Sequence, residues 1–133
     1  MRRHTVILAE DNEDVRQKLE QILAGDYDVL AAVENGAQLV DVATTLKPDL
    51  LVIDISMPIL NGLDALQQLR LRAIDAKAVI ISVNADPAYV RRAFQIGATG
   101  YVLKVTGAQD LPIALRSALE GKTFVSASIK QKS

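Results

Sequence analysis

Three features of this chain predict an α/β fold built on one parallel sheet with helices on both faces. Five short apolar runs alternate with five stretches in which apolar residues recur at helical spacing. The central run, Leu50-Leu51-Val52-Ile53, is unbroken, as in a strand buried on both faces. Strand and helix patterns succeed one another so regularly that right-handed βαβ crossovers are the expected connection.

Thr5-Val6-Ile7-Leu8-Ala9 forms the first strand and ends in Glu10-Asp11-Asn12. Asp11 or Asn12 can cap a helix that carries Val15, Leu19, Ile22 and Leu23, and Gly25 suits its end. Tyr27 to Ala32 reads as the second strand. Glu34-Asn35-Gly36 turns into a helix with Leu39, Val42, Ala43 and Leu46 on one face, closed by Lys47-Pro48-Asp49 because proline disfavours a helical residue before it. The third strand ends at Asp54, and Met57-Pro58 stops it. A loop through Asn61-Gly62 leads to a helix with Leu63, Leu66 and Leu69 inward. Ala78-Val79-Ile80-Ile81 is the fourth strand. Asp86-Pro87 has the form of an N-cap followed by proline at the first helical position, opening a helix with Val90, Ala93 and Phe94. Tyr101-Val102-Leu103 is the fifth strand. Asp110 is read as the cap of a last helix, with Pro112 in its first turn, Leu111, Ala114, Leu115 and Ala118 inward, and Gly121 at its end.

With 133 residues, the chain suits one domain with a core of its own. Its formal net charge of -1 offers no broad electrostatic case for nucleic acid or membrane as a partner. Cysteine is missing, which removes disulfides and thiolate metal sites and fits a reducing compartment. The apolar run Val6 to Ala9 is too short, and too soon acidic, for a signal peptide or membrane span. The expected setting is the cytoplasm.

Parallel strands put every carboxyl end on one side, so Glu10, Asp11, Asp54, Ser82 and Lys104 share one edge of the sheet. Ligands of open α/β sheets bind in the crevice beyond that edge. Three carboxylates together repel and raise one another's pKa values, which a divalent cation relieves; hard oxygen donors point to Mg²⁺. Lys104 brings a compact positive charge suited to a phosphoryl group, and Ser82 a hydroxyl donor. These parts compose a phosphoryl-transfer site in which the Asp54 carboxylate is the nucleophile and an acyl phosphate the product. Ser56 and Asn84, each two residues beyond Asp54 and Ser82, flank the water path and are expected to tune dephosphorylation more than phosphorylation.

Glu10-Asp11, Asp54 with Met57-Pro58, Gly62, Ser82, Tyr101 and Lys104, in this order at these strand ends, resemble the receiver domain of two-component response regulators, over about Thr5 to Gly121. The resemblance implies a flavodoxin-like (βα)5 doubly wound sandwich whose five-stranded parallel sheet has the order 2-1-3-4-5, with residues 1–121 as the receiver and 122–133 as a tail or linker. It implies Asp54 as phosphoacceptor, Asp11 as direct Mg²⁺ ligand, Glu10 as a mostly water-mediated one, and a backbone carbonyl donated by Ser56. Ser82 and Lys104 match the pair that grips the phosphoryl oxygens. Tyr101 matches an aromatic switch that swings inward as Ser82 moves, altering the face made by the fourth helix, fifth strand and fifth helix. The implied partners are a histidine kinase or phosphotransfer protein, and a second copy of the chain on phosphorylation. DNA would be met only through an output domain outside this chain, and no membrane contact is implied.

This chain departs from the family pattern at two places. Val105 follows Lys104 where the family often has proline; a cis bond before a non-proline residue costs roughly 2.5–4 kcal/mol, so a trans peptide is expected. Val83 occupies a position that is often small, and its bulk would restrict access to Asp54. Both features resemble receivers that precede helix-turn-helix output domains, as does 121–129. Too few residues follow to form such a domain, and a chain cut at the linker is favoured over a stand-alone receiver.

Two other functions are less consistent with the residues. A phosphatase working through an aspartyl phosphate would carry an acid two residues after the nucleophile, where Ser56 stands, so turnover here should be slow at most. A flavin or nucleotide carrier would need a Gly- or Ser/Thr-rich loop after the first strand, and Glu10-Asp11-Asn12 would repel its phosphate. The expectation is a self-phosphorylating signalling switch and not an enzyme.

Overall fold

The computed structural model describes residues 3–130. The strands are β1 (Thr5–Ala9), β2 (Asp28–Val33), β3 (Leu50–Asp54), β4 (Lys77–Ser82), β5 (Gly100–Leu103) and β6 (Phe124–Val125). The helices are α1 (Glu13–Ala24), α2 (Gly36–Leu46), α3 (Gly62–Leu71), α4 (Pro87–Gln95), α5 (Gly107–Leu119) and α6 (Ala127–Lys130). All strand pairings are parallel, in the order β2-β1-β3-β4-β5-β6. The expected 2-1-3-4-5 order is therefore present and gains a short sixth strand at its open edge.

Side-chain alternation along the strands divides the core between the two faces of the sheet. Ile7, Leu51, Ile53, Ile80, Tyr101 and Leu103 pack with α2, α3 and α4. Val6, Leu8, Leu50, Val52, Val79, Ile81 and Val102 pack with α1 and α5. Every residue of β3 is buried, as an unbroken apolar run requires.

Asn12, rather than Asp11, caps α1: its side-chain oxygen accepts the Val15 amide at 3.0 Å. Asn35 and Asn61 do the same for α2 and α3, and Asp86 with Pro87 opens α4 as expected. The second strand lies one residue later than expected, at Asp28–Val33.

The last helix requires a correction. Asp110 does not cap it. A 3₁₀ turn over Lys104–Thr106 winds straight into α5 at Gly107, so the helix begins three residues before Asp110. Pro112 thus sits beyond the first turn. The carboxylate of Asp110 instead accepts hydrogen bonds from the Thr106 and Ser126 hydroxyls.

Candidate functional site

Strand register brings the site residues to nearly one level. Ala9 lies beside Ile53, so Glu10 is level with Asp54. Asp54 lies beside Ile81, and Ser82 beside Leu103, which puts Ser82 and then Lys104 one step further out. The two-residue alternation also sorts them. Glu10, Asp54 and Lys104 continue the phase of Leu8, Val52 and Val102 towards the α1/α5 side. Ser82 has the phase of Ile80, on the side of Tyr101. The site therefore straddles the edge of the sheet, with its charged groups on one face and its hydroxyl and ring on the other.

The charged groups are packed closely. Glu10 is fully buried and Asp54 only 2% exposed. Lys104 Nζ lies 2.7 Å from Glu10 Oε1 and 3.3 Å from Asp54 Oδ1. Glu10 Oε2 accepts the Asn12 amide at 3.1 Å, and Arg16 donates to the Glu10 carbonyl at 2.9 Å. Asp54 Oδ2 is buried with no hydrogen-bond partner. Burial, followed by the neighbouring Glu10 charge, pushes the Asp54 carboxyl up to about 7 against the opposing pull of Lys104. Burial works to lower the Lys104 pKa, but its contacts with Glu10 and Asp54 outweigh this and raise it.

Asp11 is exposed at the mouth of this cluster. Glu10, Asp11 and Asp54 each offer a carboxylate oxygen, and the three atoms lie within 4.8 Å of one another. This all-oxygen set, with its unpartnered buried Asp54 Oδ2, fits a small hard cation such as Mg²⁺.

Ser82 is 3% exposed, and its Oγ accepts the Asn84 amide at 2.9 Å. The Tyr101 ring is already fully buried, and its hydroxyl donates to the Asn84 carbonyl at 2.7 Å. Burial is the main cause of a raised Tyr101 pKa. Ser56 and Asn84 are both exposed, and the Asn84 side-chain oxygen is engaged by the Asp86 amide at 2.8 Å. The Lys104–Val105 peptide is trans, as expected. Val83 and Val105 stand 78% and 88% exposed on neighbouring loops of the rim.

Gly62 holds the β3–α3 loop against the site. A Cβ there would sit 2.1 Å from the Asp54 carbonyl oxygen and 2.7 Å from Ile53 Cγ2, so only glycine fits. Sequence reading placed Gly62 in the motif without this reason. It missed the close Lys104–Glu10 pair, which follows from the shared alternation phase of the two residues, and the Thr106–Asp110–Ser126 cluster, which nothing local indicates.

A doubly wound parallel sheet with clustered carboxylates and a lysine at its carboxyl edge defines a receiver. The chain belongs to the response regulator receiver domain family, whose model matches residues 6–116. It is 34% identical over 127 residues to the nitrate/nitrite response regulator protein NarL of Escherichia coli K12, covering 94% of this chain and 59% of that protein. It is 30% identical over 122 residues to the transcriptional regulatory protein DegU of Brevibacillus brevis, covering 90% of this chain and 52% of that one. The chain thus spans a little over half the length of these two relatives. Among solved structures, a LuxR-family two-component response regulator from Aurantimonas sp. SI85-9A1 superposes with a TM-score of 0.91 at 25% identity, over 97% of this chain and 94% of that one. Among the described residues, no helix is long and apolar enough to cross a membrane.

Proposed function

We propose that this chain is a phosphorylation switch in which Asp54 accepts a phosphoryl group from the phosphohistidine of a kinase or phosphotransfer protein. The observation that carries this reading is the Asp54 carboxylate itself: buried, with Oδ2 unpartnered, beside Glu10 and Lys104 at the carboxyl edge of the sheet. A buried charge left in that condition is costly unless a ligand completes it.

In the transfer, an Asp54 carboxylate oxygen forms the new bond to phosphorus as the P–N bond of the donor breaks, its electron pair returning to the imidazole. Lys104 and Ser82 take the phosphoryl oxygens and so favour the charge that gathers on them. Glu10, Asp11 and Asp54, with the Ser56 backbone carbonyl, would hold Mg²⁺, which when bound supplies charge neutralisation to those oxygens. Ser56 and Asn84, near the attacking-water path, tune hydrolysis of the acyl phosphate, and turnover stays slow because Ser56, not an acid, stands two residues after Asp54. Ser82 moving towards the phosphoryl group releases its contact with the Asn84 amide, which shifts the loop that Tyr101 holds through the Asn84 carbonyl. The altered α4–β5–α5 surface then changes association with a second copy or with an output domain. A DNA-binding output is supported by the transcriptional role in the name of the DegU relative. The cytoplasm is the fitting compartment for an intracellular kinase partner.

The test is intact-mass analysis after incubation with acetyl phosphate and Mg²⁺. One phosphoryl group should be added to wild type and none to Asp54→Asn. A mass gain without Mg²⁺, or an equal gain in Asp54→Asn, refutes the assignment.

A further inference from the structure

The strand carrying Tyr101 and the turn carrying Lys104 are tied to the C-terminal segment through one buried hydroxyl. Ser126 is 1% exposed. Its amide donates to the Tyr101 carbonyl at 3.1 Å, and its Oγ accepts the Leu103 amide at 3.0 Å. The same Oγ has one proton, which goes to Asp110 Oδ2 at 2.7 Å. Thr106 Oγ1 lies 2.6 Å from that oxygen and 3.4 Å from the Leu103 carbonyl; having one proton, it donates along the shorter contact. Two hydroxyls thus converge on one oxygen of a carboxylate, and hydrogen bonds to an ionised acceptor are the stronger kind.

Lys104 lies inside this arrangement. Leu103, on one side of it, is tied to Ser126. Thr106, which ends the 3₁₀ turn that Lys104 begins, is tied to Asp110 and through it to Ser126. The segment after Gly121 is itself anchored: Phe124 and Val125 pair with Gly100 and Tyr101, and Ile129, 3% exposed, packs in the α2–α4 core. None of these residues belongs to the acceptor cluster, yet together they fix the backbone from which the Lys104 ammonium reaches Asp54.

We infer that Ser126, with Asp110 and Thr106, positions Lys104 for phosphoryl transfer and couples the state of Asp54 to the C-terminal segment 122–130, by which the receiver signals onward. This rests on the reading of Asp54 as phosphoacceptor. When Lys104 shifts from Glu10 towards a phosphoryl oxygen, the Leu103–Thr106 backbone is pulled with it, and the Ser126 and Asp110 contacts must lengthen or follow. Coupling between two sites is reciprocal, so loosening the segment must in turn misplace Lys104.

The experiment uses the full chain with acetyl phosphate and Mg²⁺, following the phosphorylation rate by intact mass and amide exchange over 122–130 with and without beryllofluoride. Ser126→Ala and Thr106→Val should each react on the order of tenfold more slowly than wild type, as for the loss of a supporting hydrogen bond at a charged site. Thr106→Val lies outside the segment and so separates the coupling from simple fraying of 122–130. Asp110→Asn keeps an acceptor for both hydroxyls and should retain most of the rate that Asp110→Ala loses. In wild type, beryllofluoride should change exchange over 122–130; in Ser126→Ala that response should disappear. Faster exchange over the segment with a wild-type phosphorylation rate would reduce Ser126 to a structural contact and overturn the inference. A wild-type chain that takes up no phosphoryl group overturns the reading of Asp54 itself; one that does, beside variants reacting at its rate, overturns only the role given to Ser126.

Discussion

Lys104 Nζ lies closer to Glu10, at 2.7 Å, than to Asp54, at 3.3 Å. In the resting chain the lysine is therefore held mainly by the residue that would help bind the metal, and only secondarily by the residue that would be phosphorylated. Glu10 is fully buried, so this pair is shielded from solvent and little weakened by salt. On the proposed reading, a phosphoryl group on Asp54 would draw Lys104 away from Glu10 and free the Glu10 carboxylate for a cation.

Glu10→Gln removes the stronger anchor of Lys104 and the charge that raises the Asp54 pKa. The ammonium then pairs with Asp54 alone, and the Asp54 pKa falls. One ligand charge is lost as well, so Mg²⁺ affinity should drop on the order of tenfold or more. Isothermal titration with MgCl₂ measures this directly; an unchanged affinity would remove Glu10 from the metal site.

The pH dependence of stability should carry the mark of Asp54. Its carboxyl is raised from 3.8 to about 7 in the fold, chiefly by burial and then by Glu10. Between those values the folded chain keeps a proton that the unfolded chain releases, so this residue's contribution to stability declines as pH climbs from about 4 to about 7. It is flat above that. Asp54→Asn carries no such charge and should be more stable than wild type at pH 8 without metal, by on the order of 1–3 kcal/mol, with most of the gain gone at pH 5. Urea unfolding at the two pH values, in EDTA, checks it. Mg²⁺ should restore wild type at pH 8 and leave Asp54→Asn nearly unaffected.

The elements that proved legible in the sequence are those whose signals are local and repeated. The apolar runs of β1, β3 and β4, the Asp86-Pro87 start of α4 and the inward stripe of α5 are each specified within a few residues. The gathering of the candidate site residues at one edge was legible for a related reason: parallel strands bring all their carboxyl ends together whatever the finer packing. β6 was not, because Phe124-Val125 is too short to display a period and its strand character comes from the open edge of β5. The start of α5 was missed because Gly107-Ala108-Gln109 lacks an apolar stripe and its helical state is inherited from the turn at Lys104. The Ser126 partner of Asp110 was hidden because it lies 16 residues away in sequence and reaches Asp110 from just after β6, the strand that pairs with β5.

Two glycines should respond in opposite ways to alanine. Gly62→Ala drives a methyl group into the Asp54 carbonyl, which is backbone and cannot step aside. The loop must move, at a cost of about 2–4 kcal/mol, and phosphorylation should slow because the peptide carrying the acceptor moves too. Gly107 has φ of -59° at the start of α5 and nothing within 4 Å of an added Cβ. Gly107→Ala should leave phosphorylation unchanged and add about 0.4–1 kcal/mol, through reduced freedom of the unfolded chain. Paired urea melts decide both, and equal effects would contradict the packing of the β3–α3 loop.

Tyr101→Phe removes one hydroxyl and keeps the ring. The ring is fully buried among Ile80, Leu103 and their neighbours, and phenylalanine preserves that packing. What disappears is the hydroxyl's bond to the Asn84 carbonyl, an acceptor in an exposed loop that water can reach when the hydroxyl is gone, together with its contact with the Ser82 hydroxyl. The stability loss should therefore stay near 0.5–1.5 kcal/mol, without the added penalty of a stranded buried group. The effect on signalling should be larger than the effect on folding, because that bond joins the inward ring to the loop between Ser82 and α4. Amide exchange of residues 83–86 reports it: in wild type these amides should respond to beryllofluoride together with β5, whereas in Tyr101→Phe the loop should respond without β5. A coordinated response surviving the substitution would show that Ser82 reaches the α4–β5–α5 face by a route that bypasses Tyr101.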